Sequence, residues 1–538
     1  MIDSDVIVVG SGATGSMAAQ TIIEGGGSVL MLDVGRTDRH YAGLLPEQDY
    51  LEIRRTDPEQ HRYLLGESFE SVLASSSSTG AQLTPPRRHV VADVDRFLPI
   101  SSPNFFPMES LALGGLGSAW GLGCCVFSGA ELKAARLPVA GMKAAYDVVA
   151  ARIGISGERD DAQPYTFSYL DGIQPSIPLD PTAAVVYKNY ARHRNRMHGD
   201  GFYMGRPALA LLTESRDGRN ATQLRDMDFY SDAERAAWRP WITIETLRKH
   251  ERFQYAGDRF VTRFEEREGE VSVVTLAMGD LEERTYRCRR LILASGTLGT
   301  ARIVLRSQRR PAASLPLLCN PFAYIPCLVP ARAGRSMPER NTGLAQLELF
   351  HDPGQRNDDV AMASIYSYRS LMLFRLLRET PIDLQDARPL MRALMSGLLI
   401  MAVQYPESRS AGKYLRLEPD AATPTRDRLH VNYELTRDEN ARVGWREKLY
   451  LRAMRRLGAW PLRRLYPGHG SSIHYAGTLP FSDMEKPYTL SPDGRVWGTN
   501  KIFVADGSGF AYLPAKGLTL SLMANAHRVA AGVLKTTA

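Results

Sequence analysis

The sequence predicts an α/β fold with a parallel sheet at its core, and three observations carry that prediction. The first is Val6-Ile-Val-Val-Gly10-Ser-Gly12-Ala-Thr-Gly15, an apolar and mostly β-branched run followed by a glycine-rich turn. The second is another apolar run, Val29-Leu-Met-Leu32, which ends at Asp33. The third is Leu291-Ile-Leu293, late in the chain, running into Ala294-Ser-Gly296. Short apolar runs bounded by turn-forming residues read as buried strands. A glycine turn from such a strand into a helix, with an acidic residue about 20 positions on, is the Rossmann pattern.

The first turn is arranged for a dinucleotide. Gly10 permits the tight turn, Gly12 lets the backbone approach a pyrophosphate, and Gly15 lets the helix pack on the strand. The helix begins near Thr14 and offers the free N–H groups of its first residues, Ala13 and Thr14, to that pyrophosphate. Asp33 falls where an adenosine ribose presents its hydroxyls, which argues against a 2′-phosphorylated cofactor and leaves NAD and FAD both open.

Length and composition bound the rest. The chain has 538 residues, enough for two or three domains. Its net charge of +7 comes from arginines scattered along the chain, which does not imply a nucleic-acid partner and leaves an anionic partner or a membrane surface open. The five cysteines, Cys124, Cys125, Cys288, Cys319 and Cys327, show no CxxC spacing. No zinc site or iron–sulfur cluster is therefore expected, no metal at all is assigned, and reduced thiols fit a cytoplasmic protein. The nucleotide-binding strand starts at Val6, which leaves no room for a signal peptide in this chain. No apolar run reaches the ~18 residues that a membrane-spanning helix needs.

Further along, residues 37–105 are polar and broken by Pro and Gly, with Ser75–Gly80 read as an exposed loop. Leu113–Gly123 is a second glycine-rich stretch, in which Trp120 stacks or packs. Residues 131–155 carry helical periodicity, and residues 160–215 are mixed, with Pro-rich turns at 175–181. Phe260–Phe264 and Val271–Leu276 form a hairpin. The strand Leu291–Leu293 follows, with a helix over Ala301–Leu305. In 311–464, β-type runs at Gly343–Phe350 and Leu398–Val403 flank Leu371–Arg378 and Leu390–Met395. In those two stretches arginine alternates with large apolar residues, as in a helix lying on a membrane or a core-facing helix with snorkelling arginines. The chain closes on Ile473–Pro480, Lys501–Ser508, Pro514–Ser521 and a helix over Leu522–Leu534.

GSGATG, GGLGSAWG, LILASGTLGTARIVL, HYAGT and FVADGS, in this order, resemble the glucose–methanol–choline (GMC) oxidoreductases over residues 5–35, 108–125, 260–305 and 473–532. The resemblance implies an FAD-dependent enzyme that oxidises the CH–OH group of a small-molecule alcohol. It implies a Rossmann-like FAD-binding domain assembled from separated segments (1–160, 225–310 and 465–538). A substrate domain (161–224 and 311–464), a mixed or antiparallel sheet flanked by helices, would cover the flavin ring. Gly10, Gly12, Ala13, Thr14, Gly15 and Asp33 match the ADP-binding positions. Gly114, Gly115, Gly117, Ser118 and Trp120 match the stretch beside the ring, Ala294 and Gly296 the late strand's turn, and Asp506, Gly507 and Ser508 the C-terminal turn. His474 matches the active-site histidine, the base for the hydroxyl proton.

The departures from that family are informative. Ala119 stands where relatives with covalent FAD carry histidine, which implies non-covalent FAD. Gly218-Arg219 is not followed by the cysteine cluster of some sugar-oxidising relatives. The usual Asn or His partner is replaced by Gly517 or, with one inserted residue, by Lys516, a candidate to bind the substrate oxygen or the flavin. GGLGSAW looks closest to the sugar-oxidising branch, so a sugar or glycoside is the expected substrate, with oxygen or another carrier as electron acceptor. A lipid, terpenoid or sterol alcohol dehydrogenase in peripheral membrane contact is the alternative, and a non-catalytic flavoprotein is the third reading.

Overall fold

The structure, a computed structural model, describes residues 3–38, 40–41, 44, 46, 48, 50–68, 85–224, 234–308, 313–336, 342–367 and 383–537. The strand Ser4–Val9 lies inside a seven-stranded sheet, between Val29–Leu32 and Glu283–Leu293, and pairs with both in parallel. Val6 to Val9 are all buried, as expected for a parallel strand covered on both faces. Phe253–Ala256 adds in parallel beside Val29–Leu32, and Ile502–Val504 pairs in parallel with Leu291–Leu293. The sheet is thus assembled from pieces nearly 500 positions apart in the chain. The hairpin of Phe260–Glu266 and Val271–Leu276 continues it antiparallel. The third strand starts at Glu283 rather than near Leu291, because its first half is largely exposed and polar and shows no apolar run.

Helix Ala13–Glu24 covers one face of this sheet and packs against the C-terminal helix Thr519–Thr537. The periodicity at 131–155 resolves into two helices, Gly129–Ala134 and Val139–Ile153. The first opens with a capping box in which Ser128 and Glu131 satisfy each other's backbone N–H groups.

A second sheet has six antiparallel strands, in the order Trp460–Pro461, Phe322–Leu328, Leu398–Gln404, Ala361–Ser367, Leu347–His351 and Phe202–Gly205. Strand side chains alternate between faces. Ala363, Ile365, Leu399 and Met401 point into a core shared with helices Pro181–Gly199 and Arg437–Arg456. Glu348, Ser364 and Gln404 belong to the opposite face. The architecture is therefore a Rossmann-like α/β unit built from separated segments beside an antiparallel sheet flanked by helices, as the sequence predicts.

Several local expectations are corrected. The prolines at 175–181 are not only turns. Pro181 is the first residue of a 19-residue helix, where its missing N–H is harmless, and Asp180 caps it by accepting from the N–H groups of Thr182 and Ala183. Residues 37–105 hold the short helices Tyr50–Thr56, His61–Leu64 and Val94–Phe97, and Phe97 packs on Phe260. The β-run placed at Gly343–Phe350 is a strand only from Leu347. Leu390 and its neighbours lie in helix Leu384–Leu394, which contains Pro389. The stretches Ser75–Gly80 and Leu371–Arg378 lie outside the described residues. Among the described residues no helix is long and apolar enough to cross a membrane, and no group of three metal-ligating side chains occurs. All five cysteines are buried and free.

Candidate active site

One cavity of about 410 Å³ runs between the two sheets. Gly10, Gly12, Ala13, Thr14 and Asp33 line one end of it. Gly115, Gly117, Trp120, Ala294, Gly296, Asp506 and Gly507 line its middle. His474 lies on its wall, and Glu348, Ser364, Tyr366 and Gln404 reach it from the second sheet.

The first end is made of backbone. Gly12 caps helix Ala13–Glu24 without any side-chain hydrogen bond, and no acidic residue occupies the first turn. The unpaired N–H groups and positive dipole end of the helix are therefore open to an anion. Sterics separate the roles of the glycines. A Cβ on Gly15 would stand 1.8 Å from the Gly10 carbonyl oxygen, so Gly15 serves helix–strand packing and does not line the cavity. A Cβ on Gly12 would meet only the Gly114 oxygen, at 3.9 Å, so Gly12 faces open space. The cradle fits a dinucleotide diphosphate. Asp33 accepts hydrogen bonds from the Ser11 hydroxyl and, at 2.8 Å, from the Tyr255 hydroxyl. Burial pushes its carboxyl up to about 6. Ser11 in turn accepts from the Gly114 N–H at 2.9 Å, tying the two glycine stretches together.

Around the middle, some expected residues shape the wall without lining it. Gly114, at φ +84°, starts the turn Gly115–Ala119, and the Ser118 hydroxyl donates to the Leu113 carbonyl at 2.6 Å. Trp120 lines the cavity, with its indole N–H donating to the Trp238 carbonyl at 3.0 Å. Asp506 is buried and accepts from the Ser508 N–H, the Ser508 hydroxyl and the Thr300 hydroxyl. Ser508 therefore faces Asp506 rather than the cavity.

His474 follows Ile473, a β-branched residue held at φ +61°, a conformation that persists only when its surroundings enforce it. The His474 Nδ1 lies 3.1 Å from Asn320 Oδ1. Asn320 is itself buried, and its Nδ2 donates to the carbonyls of Tyr405 at 2.8 Å and Pro514 at 3.1 Å. The amide is thereby fixed with Oδ1 as acceptor, so the imidazole proton belongs on Nδ1. Nε2 carries the lone pair and has no hydrogen-bond partner among the described residues. Burial pushes the imidazole down to about 4, so it stays neutral near neutral pH.

Lys516 is not on the cavity wall. It is fully buried, and its Nζ donates at 2.8 Å to both Glu131 Oε2 and Asn357 Oδ1. Glu131 is the same carboxylate that closes the Ser128 capping box. Of the two positions the sequence left open, Gly517 is the one that lines the cavity, and a Cβ there would stand 2.9 Å from the Gly123 carbonyl oxygen. The expected second polar partner is thus absent from that position. Asn320, Glu348, Ser364, Tyr366 and Gln404 escaped the sequence reading. A lone carboxylate between leucines at 348, and polar residues at every second place in 364–366, were the signals available.

Residues 461–526, which include His474, Asp506 and Gly517, match the family model described as GMC oxidoreductase. The fold is similar to the crystal structure of pyridoxine 4-oxidase from Mesorbium loti, with a TM-score of 0.56 and 14% sequence identity over 98% of this chain and 99% of that one. No curated protein matches the sequence.

Proposed function

We propose that this chain is an FAD-dependent oxidoreductase that oxidises the CH–OH group of a small-molecule alcohol, with His474 as the base. The observation that carries this reading is the Asn320 contact. It leaves a neutral imidazole with a free Nε2 lone pair on the wall of the cavity that the nucleotide cradle opens into. The match over residues 461–526 supports it.

The residues divide the work. The helix start at Ala13 and Thr14 holds the diphosphate, Asp33 the ribose hydroxyls, and Gly115 to Trp120 flank the ring. When bound, FAD would supply a two-electron acceptor for the hydride, the hydrogen and its electron pair, that leaves the carbinol carbon. His474 Nε2 takes the hydroxyl proton as the C–O bond gains carbonyl character. Ala119 lines the cavity and offers no nucleophile, which supports non-covalent FAD. In this reading residues 1–160, 225–310 and 465–538 form the FAD-binding domain, and 161–224 and 311–464 the substrate domain. Oxygen or another carrier then reoxidises the enzyme. The GGLGSAW stretch favours a sugar or glycoside, whereas the structural neighbour is named for a substrate that is not one.

Anaerobic flavin bleaching tests the reading. The purified yellow protein is mixed with panels of sugars, glycosides, amino alcohols and lipid alcohols, and its visible flavin absorbance is followed. Bleaching by one class establishes alcohol oxidation. A protein that takes up no FAD, or a yellow protein that no alcohol bleaches, overturns it.

A further inference from the structure

The far wall of the cavity carries two acceptors with no donor to meet them. Glu348 is only 1% exposed, and its Oε2 has no hydrogen-bond partner among the described residues. Gln404 reaches the same cavity, and its Oε1 is also buried without a partner. The two belong to one face of the second sheet. Glu348 lies opposite Ser364, Gln404 lies opposite Met362, and Ser364 and Met362 are two apart on one strand. Buried polar atoms are almost always paired, so two unpaired acceptors on one cavity wall point to a partner that arrives from outside.

The surroundings say what kind of partner. Asp160, the charged neighbour that acts on Glu348, is itself a carboxylate, and burial together with that charge pushes Glu348 up to about 8. The Lys516 ammonium acts on nearby Cys125 but is committed to Glu131 and Asn357. The Tyr366 hydroxyl and Ser364 are turned to each other. Among the described residues Glu348 Oε2 thus has no donor in hydrogen-bond reach, and no cation of the chain acts on the carboxyl. Left alone, the carboxyl therefore keeps its proton near neutral pH, and a substrate hydroxyl would not change that. A protonated nitrogen brings both a donor and the positive charge that favours the ionised carboxylate.

We propose that Glu348 and Gln404 form the recognition end of the substrate site and select an alcohol that carries a protonated amine. The proposal rests on the reading of this cavity as the site of alcohol oxidation.

The test uses the FAD-loaded enzyme and matched probes: 4-(aminomethyl)benzyl alcohol against 4-ethylbenzyl alcohol, and D-glucosamine against D-glucose. In wild type the amine of each pair should half-saturate anaerobic bleaching at a concentration about tenfold lower or less. In Glu348→Gln, which keeps the side chain's shape, that preference should fall below about twofold, and Glu348→Asp should restore part of it. Retained yellow colour shows that each variant is folded. Equal half-saturation within each pair in wild type, or an unchanged preference in Glu348→Gln, overturns the proposal while leaving alcohol oxidation standing. Calorimetric titration with benzylamine separates the other failure. If no alcohol bleaches the flavin but wild type binds benzylamine at least about tenfold more tightly than Glu348→Gln, the recognition site stands and the oxidation reading falls. If wild type and variant bind benzylamine equally, or neither binds it, the recognition site falls as well.

Discussion

The two ends of the cavity are opposite in both construction and electrical sense. The end proposed for the nucleotide is backbone: an uncapped helix start, a glycine with open space in front of it, and N–H groups without partners. The end proposed for the substrate is side chains on neighbouring strands, and its unpaired atoms are acceptors. One end is therefore short of negative charge and the other short of donors. Each end is thus damaged in its own way. Backbone sites fail by steric filling, whereas side-chain sites fail by loss of a single polar atom.

The largest effect is expected at the cradle. Gly12→Val places carbon where the diphosphate passes without touching the core, so FAD affinity should fall by about two orders of magnitude, or ~3 kcal/mol. Flavin content after purification reads this out, and a protein that stays yellow would remove Gly12 from the cradle. At the wall that carries His474, His474→Ala should keep its FAD yet slow anaerobic bleaching by about 100-fold or more. Wild-type-like bleaching in that variant would remove His474 from the mechanism.

Lys516 sharpens the contrast because it is buried near the cavity without lining it. Lys516→Met leaves the buried Glu131 carboxylate with the Ser128 N–H but without its cation, which should cost about 3–5 kcal/mol of stability. The loss should appear in a thermal scan, with the bleaching rate of the folded protein little changed. A collapse in bleaching at unchanged stability would return Lys516 to the active site.

Smaller effects are read through pH. Glu348 holds its proton more tightly when folded (about 8) than in an unfolded chain (4.5). Its contribution to stability is therefore complete below 4.5 and lost as pH rises through about 8. Stability of ligand-free Glu348→Gln should gain on wild type across that window, measured by denaturant titration at each pH. A constant difference would show that Glu348 is not the titrating group. For His474 the sign is opposite: bleaching should hold at neutral pH and fall as pH drops through about 4, where Nε2 becomes protonated. Asn320→Asp puts a carboxylate beside Nδ1, favours the imidazolium, and should move that acid limb upward by about one pH unit or more. An unmoved limb would mean that Asn320 does not orient the base.

The legibility of the molecule follows the same division. The strand Val6–Val9, the glycine turn and Asp33 could be read directly because a backbone cradle demands glycine at fixed spacings next to a buried strand. The hairpin at 260–276 was legible for a similar reason, since both strands are apolar runs separated by a charged turn. Helix Pro181–Gly199 was not, because a proline at the first helical position looks like any other proline until the helix after it is seen. The long strand Glu283–Leu293 was legible only in its buried half.

His474 stood out in the sequence through the HYAGT stretch, but its chemical state did not. The tautomer depends on Asn320, 154 positions earlier, whose own orientation is set by carbonyls at Tyr405 and Pro514. Lys516 and Gly517 were interchangeable candidates in one dimension. Packing separated them, sending the lysine to Glu131 and leaving the glycine against the cavity.

What depends on local backbone geometry was present in the sequence: the α/β class, the glycine turn after the first strand with Asp33 beyond it, and His474 as the candidate base. Only the tertiary structure decided what depends on groups brought together from distant strands: the proton on Nδ1, the burial of Lys516, and the unpaired acceptors at Glu348 and Gln404. The physical reason is that hydrogen bonding and desolvation act over a few ångströms in space, and the sheets place side by side residues that lie tens to hundreds of positions apart along the chain.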